Sequence, residues 1–463
     1  MFYLIIVLFV AGLAAISLSH RLPVDKASIA LVTGSLIWLC IAICGETIYA
    51  ASPSFYKYLQ IRPDASVLEF VALHELSGHL SRIGELLFFL LGAMAIVEII
   101  KSHGGFSLLL KFIKSKKKIR LLWIFSFITF FMSAVLDNLT IAIVMITLIW
   151  QLVSSKKTRI YFAGMIVIAT SAGGTWSPIG SVTTLMLWIG GQVSASSIIL
   201  QLFVPCLIFM LVPLVFLSLN MKGVVVPPYR IERSKSFVQA TDCERWIILL
   251  SGMGGLILVP VFHSLTHLPP FLGILLVLGI MWIFLEIMHH KKQRDFRTRL
   301  TLSEILKKLD ITTVFFLLGI FLAVAGLESA GHLHQFGFFL SEKVHNIFAI
   351  NILIGTLSSV VGSVPLVAGM MGTYEVISPE SMNFISDPAK MAYLRHFVTD
   401  GAFWELLAYC AGTGKSLLIT GSAAGIVAMG LDKINFLWYL KKMSLLALAG
   451  YLSGITAYFL IVV

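Results

Sequence analysis

The chain has 463 residues, of which 58% are apolar and only 12% are charged, with a formal net charge of +11. Soluble domains carry about 25% charged residues, so this composition and a mean hydropathy of +0.95 exclude an ordinary soluble protein. The positive charge does not point to nucleic acid, because the basic residues sit in short loops between apolar runs, the pattern of cytoplasmic loops in membrane proteins.

Apolar runs long enough to cross a hydrocarbon core of roughly 30 Å predict spans near 2–18, 28–50, 83–100, 196–218, 246–263, 270–288, 311–327 and 444–463. No stretch between them is long enough for a separate soluble domain, so one membrane domain is expected. Met1–Leu18 lacks the leading basic residues and the small-residue cleavage pattern of a signal peptide and reads as a retained span. Of the five cysteines, Cys40, Cys44, Cys206 and Cys410 lie in apolar segments and Cys243 in none. No paired spacing suggests a disulfide framework or a zinc site.

Three basic loops set the orientation. Lys101, Lys111, Lys114, Lys116, Lys117, Lys118 and Arg120 crowd the first. Lys222, Arg230, Arg233, Lys235 and Arg245 occupy the second, and Lys291, Lys292, Arg294, Arg297, Arg299, Lys307 and Lys308 the third. All three are expected to be cytoplasmic. The loop His263–Pro270 has no Lys or Arg and is expected outside, and counting spans from these loops puts both termini outside.

Two segments break the count. Residues 119–153 are too short for two crossings and are flanked by basic residues on both sides, the second flank being Lys156, Lys157 and Arg159. A re-entrant hairpin with its tip near Leu136–Leu139 satisfies both flanks. The stretch 160–193 is too long for one span and is interrupted by Ala172–Ser181, where Gly and Pro predict unwound backbone of the kind membranes tolerate only beside protein or a wet cavity. The same events recur: Phe88–Gly92 reappears as Phe315–Gly319, Ser133–Asn138 aligns with Ser358–Ser363, and Gly180-Ser181 aligns with Gly421-Ser422. Three matches in one order predict an internal repeat, and the topology count makes the two copies inverted, a transporter plan with its site between discontinuous helices. The expected fold is thus an all-α polytopic membrane protein with two inverted repeats, each holding a re-entrant helical hairpin and a broken transmembrane helix. The expected segments are 1–82 (N-terminal spans and outer loop), 83–220 (repeat one), 221–310 (connecting spans and basic loops) and 311–463 (repeat two).

At the predicted hairpin tip stand Asp137, Asn138 and Thr140. A carboxylate at membrane depth is costly and marks an ion or proton path. The amide and hydroxyl oxygens beside it, and the carbonyls left free where the hairpin halves end, suit a small alkali cation. Pure helix capping by Asp137 is the rival reading. Ser177, Ser181, Thr183 and Thr184 would add oxygens from the neighbouring break. Glu85 and Glu98 share one apolar span and are candidate proton relays or interfacial ion pairs. Glu328, Asp310, Asp400 and Glu405 near the ends of later spans carry the same ambiguity. His74-Glu-Leu-Ser-Gly-His79 resembles a zinc-hydrolase motif, but its histidines are five apart and diverge by about 140° on an α-helix. Gly414-Lys415-Ser416 resembles a P-loop but lacks the preceding Gly and strand.

Four stretches look like the motifs of the NhaD-type sodium/proton antiporters: Ser133–Thr140, Ala172–Gly180, Val364–Ala368, and Ala408–Gly414 followed by Gly421–Gly425. The resemblance implies an ion-transporter-superfamily fold, exchange of sodium or lithium for protons, and functional roles for Asp137, Asn138, Thr183, Thr184, Ser359, Ser416, Ser422 and Glu85. Similar proteins usually have Asp where Ser181 stands, Asp-Asn where Gly362-Ser363 stand, and Gly where Lys415 stands. Beyond the transported ions and the lipid bilayer, no cofactor is expected, and a homodimer is expected by fold analogy alone.

The reading from all this is secondary exchange of Na⁺ or Li⁺ for H⁺ across a bacterial inner membrane, with both termini periplasmic. Asp137 would be neutral when protonated and would bind the cation when not. The rivals are a sodium-coupled dicarboxylate or oxyanion carrier of the same superfamily and, more remotely, an intramembrane metalloenzyme. Lys415 is expected either to fill, as a tethered cation, a place among Ser359, Ser363, Thr413 and Ser416, or to snorkel to the interface. The basic loops generate one prediction. Single cysteines replacing Ser115 and Ser155 in a cysteine-free background react with impermeant thiol reagent only from the cytoplasmic side. Labelling of either from outside contradicts the hairpin.

Overall fold

The computed structural model describes residues 2–17, 23–49, 53–113, 115–226, 241–289, 302–333, 335–336, 346–378 and 387–462. Of the basic-loop residues, Lys114, Arg230, Arg233, Lys235, Lys291, Lys292, Arg294, Arg297 and Arg299 lie outside the described residues. The described chain is helical, and its only strand-like pairing among the described residues is an isolated bridge between Lys117 and Val224. The longer helices are α1 (Phe2–Ser17), α2 (Lys26–Tyr49), α3 (Ser77–Ser102), α4 (Lys118–Ser133), α5 (Asn138–Leu152), α6 (Lys156–Thr175), α7 (Val182–Ile189) and α8 (Ala195–Asn220). They continue as α9 (Asp242–Thr266), α10 (Pro270–His289), α11 (Ile311–Ser329), α12 (Ile347–Val361), α13 (Ser363–Thr373), α14 (Ala402–Gly414), α15 (Ala423–Asp432) and α16 (Leu445–Ile461). Among the described residues seven helical stretches are long and apolar enough to cross a membrane, so the chain is a multi-pass membrane protein. Each span expected from hydropathy falls on a helix. The span expected at 83–100 is longer, because α3 begins at Ser77 and is preceded by a π-helical turn, Val71–Leu76.

Two compact units are each assembled from distant stretches of chain. The first holds residues 1–88, 310–350 and 364–376. Its centre is the crossing of α2 and α11, where small residues let two backbones touch. A Cβ on Gly319 would lie 2.4 Å from the Ala30 carbonyl carbon, and one on Gly34 would lie 2.7 Å from the Gly319 carbonyl oxygen. Lipid supplies no hydrophobic drive between helices, so close backbone packing of this kind holds them together.

The second unit holds residues 89–309, 351–363 and 377–463. Within it α4 and α5 are joined by the short turn 134–137, and α6 packs against both. At 1.5 Å per residue the 16 residues of α4 and the 15 of α5 reach only about 24 and 22 Å, short of the hydrocarbon thickness. Both arms return to one end of the unit. The segment after α8 binds the first flank, with Lys118 N donating to Gly223 O at 3.1 Å and Val225 N to Lys116 O at 2.7 Å, and the second flank through Ser154 N and Val226 O at 3.1 Å. The same end gathers the basic loops: Lys111 pairs with Asp242, and Lys308 Nζ donates to Ser102 Oγ at 3.2 Å. The observed turn begins two residues before the expected tip, because Asp137 already caps α5.

Gly319→Leu forces α2 and α11 apart, and overpacking of this kind costs typically 1–3 kcal/mol. The variant is expected to unfold at a lower temperature than wild type in detergent, and an unchanged Tm contradicts the crossing.

Candidate functional site

The site is built where two interrupted helices cross inside the second unit. The first runs as α6, breaks at residues 176–181 and resumes as α7. The helix persists through Gly173-Gly174, past the expected start of the interruption, because Gly173 lies against the Phe130 backbone of α4, where a Cβ would sit 2.1 Å from the carbonyl oxygen. Trp176 then opens the break, stacked on Phe130 at 5.7 Å between centroids and edge-on to Phe203 at 5.1 Å. The second helix runs as α14, breaks at 415–422 with a 3-10 turn at Ile419–Gly421, and resumes as α15.

The two run antiparallel, and both pairs of ends are tied. Where the first starts, Arg159 Nε and Trp150 Nε1 donate to Asp432 Oδ1, at 3.3 and 2.8 Å, at the end of α15. Where the first ends, Ser194 N donates to Asp400 Oδ1 at 2.5 Å and Asp400 N to Gln192 O at 3.0 Å, just before α14. Midway they touch: a Cβ on Gly412 would lie 2.3 Å from Thr175 Oγ1.

The contacts around the two breaks recur. Ser133 Oγ donates to Thr170 O at 2.9 Å, and Ser358 Oγ points at Ala411 O at 3.4 Å, with its nearer acceptor Gly355 O at 2.7 Å. A Cβ on Gly180 would meet Ala134 Cα and Gly174 Cα, and one on Gly421 would meet Ser359 Cα and Lys415 O. Hairpin residues correspond at an offset of 225 and broken-helix residues at 241, the spacings of the sequence matches. By this correspondence Lys415 occupies the position of Gly174.

Lys415 is only 7% exposed, and its Nζ donates to Ser181 Oγ at 3.0 Å. Asn138, the first residue of α5, completes the arrangement. With its amide turned so that donors meet acceptors, its NH₂ donates to Thr170 O at 2.9 Å and Ser133 Oγ at 2.7 Å, and its oxygen accepts from Lys415 Nζ at 2.9 Å. Ser181 Oγ also pairs with Thr183 Oγ1 at 2.9 Å, and Thr184 Oγ1 donates to Ser181 O at 3.0 Å. Hydrogen bonds to a charged group contribute about 1.5–3 kcal/mol each, and the effective cost of burying an ammonium is several kcal/mol. Both bonds are therefore needed to hold the side chain inside.

Of the tip residues, Asp137 is the N-cap of α5, its Oδ2 accepting from Thr140 N at 3.0 Å. Capping engages one carboxylate oxygen, and among the described residues Oδ1 has no hydrogen bond or ion pair. Ser177 Oγ accepts from Ile179 N within the break at 3.4 Å. In the second half, Ser359, Thr413 and Ser416 donate to carbonyls of their own helices, at Thr356, Tyr409 and Thr413, within 2.7 Å. Ser422 caps α15 through Gly425 N at 3.0 Å, and Ser363 is buried at the start of α13. Lys415 joins none of the four side chains expected around it. Its side chain leaves the second break and reaches the first: the backbone of Lys415 packs close to Gly421, while the ammonium meets Ser181 at the start of α7. The ammonium is turned inward to the crossing and not to an exposed surface. Ser181, expected as an oxygen donor of the first break, is the residue the ammonium touches.

Glu98 is buried against Lys101 Nζ at 2.9 Å and Ser102 Oγ at 3.3 Å, an ion pair at the helix end, and Glu85 has no hydrogen bond or ion pair among the described residues. Sequence reasoning left two acids underweighted. Glu405 is buried on α14 and accepts from Ser197 and, at 2.8 Å, from Tyr458 Oη. In the first unit Ser329 Oγ bridges Tyr49 and Glu75, the latter at 2.8 Å, with His79 Nε2 a further 3.9 Å away. The π-turn at 71–76 changes the angular spacing assumed for His74 and His79. Their ring partners still differ, Phe70 and Tyr58 for His74 and Trp38 for His79.

The model of the family described as citrate transporter matches residues 3–394. Sodium/proton antiporter 2 of Arabidopsis thaliana is 38% identical over 456 residues, covering 97% of each chain. The chain belongs to this transporter family, as an NhaD-type member. Sodium/proton antiporter 1 of the same plant is 38% identical over 97% of this chain and 71% of its own length. The Na(+)/H(+) antiporter NhaD of Vibrio cholerae is 27% identical over 99% of this chain and 91% of its own. The family is one of transporters, not enzymes.

A double-mutant cycle tests the site. Asn138→Leu leaves the Lys415 ammonium short of an acceptor and costs at least about 1–3 kcal/mol. Adding Lys415→Met removes the orphaned donor, so the double variant is expected to recover part of the lost Tm in detergent. Additive losses contradict the bond.

Proposed function

We propose that the chain exchanges sodium or lithium for protons across the membrane, through a site at the crossing of its two broken helices. Two inverted repeats of hairpin plus broken helix account for the antiparallel pairing and the repeated offsets, and such repeats place substrate sites between discontinuous helices. The observation that carries the reading is Asp137: a carboxylate at the turn of a helical hairpin, capping with one oxygen and leaving the other for a proton or a cation. Thr140, Ser177, Thr183, Thr184 and the second-half hydroxyls Ser359, Ser363, Thr413, Ser416 and Ser422 are the neutral oxygen donors proposed around the path, with Glu85 as a relay. Neutralised by a proton or by a metal cation, the Asp137 site presents the same net charge, so one alternating-access movement can carry either and couple the two. The basic loops gathered at one end support a cytoplasmic assignment for that end, and with it we propose both termini on the outer, periplasmic side of a bacterial inner membrane.

A second reading, sodium-coupled uptake of a carboxylate or other oxyanion, is favoured by one feature. Ser181 makes no capping bond to α7, so that helix presents open N–H groups beside the Lys415 ammonium, an arrangement that attracts anions.

One vesicle experiment separates them. Purified protein in proteoliposomes is expected to move protons on addition of external Na⁺ or Li⁺ and to take up no labelled citrate or succinate. Asp137→Asn keeps the cap and the side-chain volume, so it is expected to insert and fold normally and to lose exchange. Full exchange by that variant, or sodium-dependent carboxylate uptake by the wild type, overturns the reading.

A further inference from the structure

Three features of the Lys415 site stand apart from the rest of the molecule. The ammonium is buried among neutral oxygens, Ser181 Oγ at 3.0 Å and Asn138 Oδ1 at 2.9 Å, with no carboxylate bonded to it among the described residues. This is the ligand chemistry of a monovalent metal cation rather than of an ion pair. The two halves are also unequal at this point. Ser181 and Ser422 correspond, share nearly the same backbone angles (φ −139, ψ 142 and φ −127, ψ 148), and both precede a resumed helix. Ser422 caps its helix, whereas the Ser181 hydroxyl makes no capping bond to a backbone N–H of α7 and meets the Lys415 ammonium and the Thr183 hydroxyl instead. Finally, the position that corresponds to Lys415 is Gly174, where a Cβ would lie 2.5 Å from the Asn138 side chain and 2.7 Å from Gly180 O. A side chain has room in one break only, and there it is long enough to cross to the other.

We propose that the Lys415 ammonium is a tethered cation that fills the Asn138–Ser181 place, so that this place binds no sodium in this chain. The side chain is anchored for the purpose. Lys415 follows α14 in helical geometry, and its carbonyl packs so close to Gly421 that a Cβ there would sit 2.5 Å away. The backbone of Lys415 is thus packed into the second break, and withdrawing the ammonium requires the side chain itself to leave. Asn138 is fixed in turn by Ser133 and Thr170 O, which orients its oxygen toward the ammonium. A mobile cation at this place would have to displace a group that is covalently present at every stage of the cycle. The consequence is a specificity and stoichiometry set by the remaining oxygens, with one metal cation fewer bound than the ligand set could hold.

The inference rests on the exchange reading only for its consequence in transport, and a binding measurement isolates it. Equilibrium binding of ²²Na⁺ to the purified full chain in detergent counts sites per chain without any transport. Lys415→Gly is expected to bind one more sodium than wild type, and Lys415→Gly/Asn138→Leu to return to the wild-type count. Lys415→Arg, which keeps a tethered charge, is expected to show the wild-type count and serves if the glycine variant does not fold. An equal count in Lys415→Gly and wild type overturns the proposal, as does an extra site in Lys415→Arg. Wild-type vesicles that bind sodium but move no protons on its addition overturn the exchange reading and leave the count to decide this one.

Discussion

A single ammonium, held between Ser181 and Asn138, is the constraint on which the second unit depends. Moving a charge into a membrane interior costs several kcal/mol, and the charged form persists only where hydrogen bonds replace water. Here the charge and its two acceptors come from three places in the chain: the second break supplies Lys415, the first supplies Ser181, and the start of α5 supplies Asn138. Each must be positioned to a few tenths of an ångström for the bonds at 2.9 and 3.0 Å to form. That requirement explains the run of glycines at the crossing. Gly173, Gly180, Gly412, Gly414 and Gly421 each lie where a Cβ would meet another segment within 2.5 Å, four of them against backbone and Gly412 against the Thr175 side chain.

The ties at the two ends have the same logic. An interrupted helix loses backbone hydrogen bonds at its break and would hinge there. The Arg159–Asp432 pair at one end and the Asp400–Ser194 bond at the other fix the outer halves, so the breaks stay opposed. Across the antiparallel pair, the Ser133–Thr170 contact has its counterpart in Ser358–Ala411. Asymmetry introduced at one residue, Lys415 against Gly174, stands out against that background.

Much of this was legible in the sequence. Apolar run length located the spans, the paired basic flanks located the hairpin, and Gly-Pro interruption located the first break. The membrane makes such signals strong, because backbone polar groups have no water to fall back on. The destination of Lys415 was not legible. Its neighbours in sequence belong to the second break, and only the three-dimensional crossing, through Thr175 and Gly412, sends its side chain to the first. The π-turn at 71–76 was invisible for a different reason: no residue type demands it, and it arises where tertiary packing admits an extra residue in the helix. For Asp137 the sequence set ion coordination against pure helix capping, and its geometry shows the cap on one oxygen while the other stays without a hydrogen bond among the described residues.

Kinship with sodium/proton antiporters and kinship with a family described as citrate transporter meet in one physical question, what a fixed positive charge does between Asn138 and Ser181. The place of the ammonium answers more directly than any transport assay. Magic-angle-spinning NMR of the protein in bilayers, with lysine labelled at ¹⁵Nζ and asparagine at ¹³Cγ, reads it as a through-space correlation. A Lys–Asn cross peak is expected in wild type and absent from both Lys415→Met and Asn138→Leu. A wild-type spectrum with no such peak, or one that survives either substitution, contradicts the account.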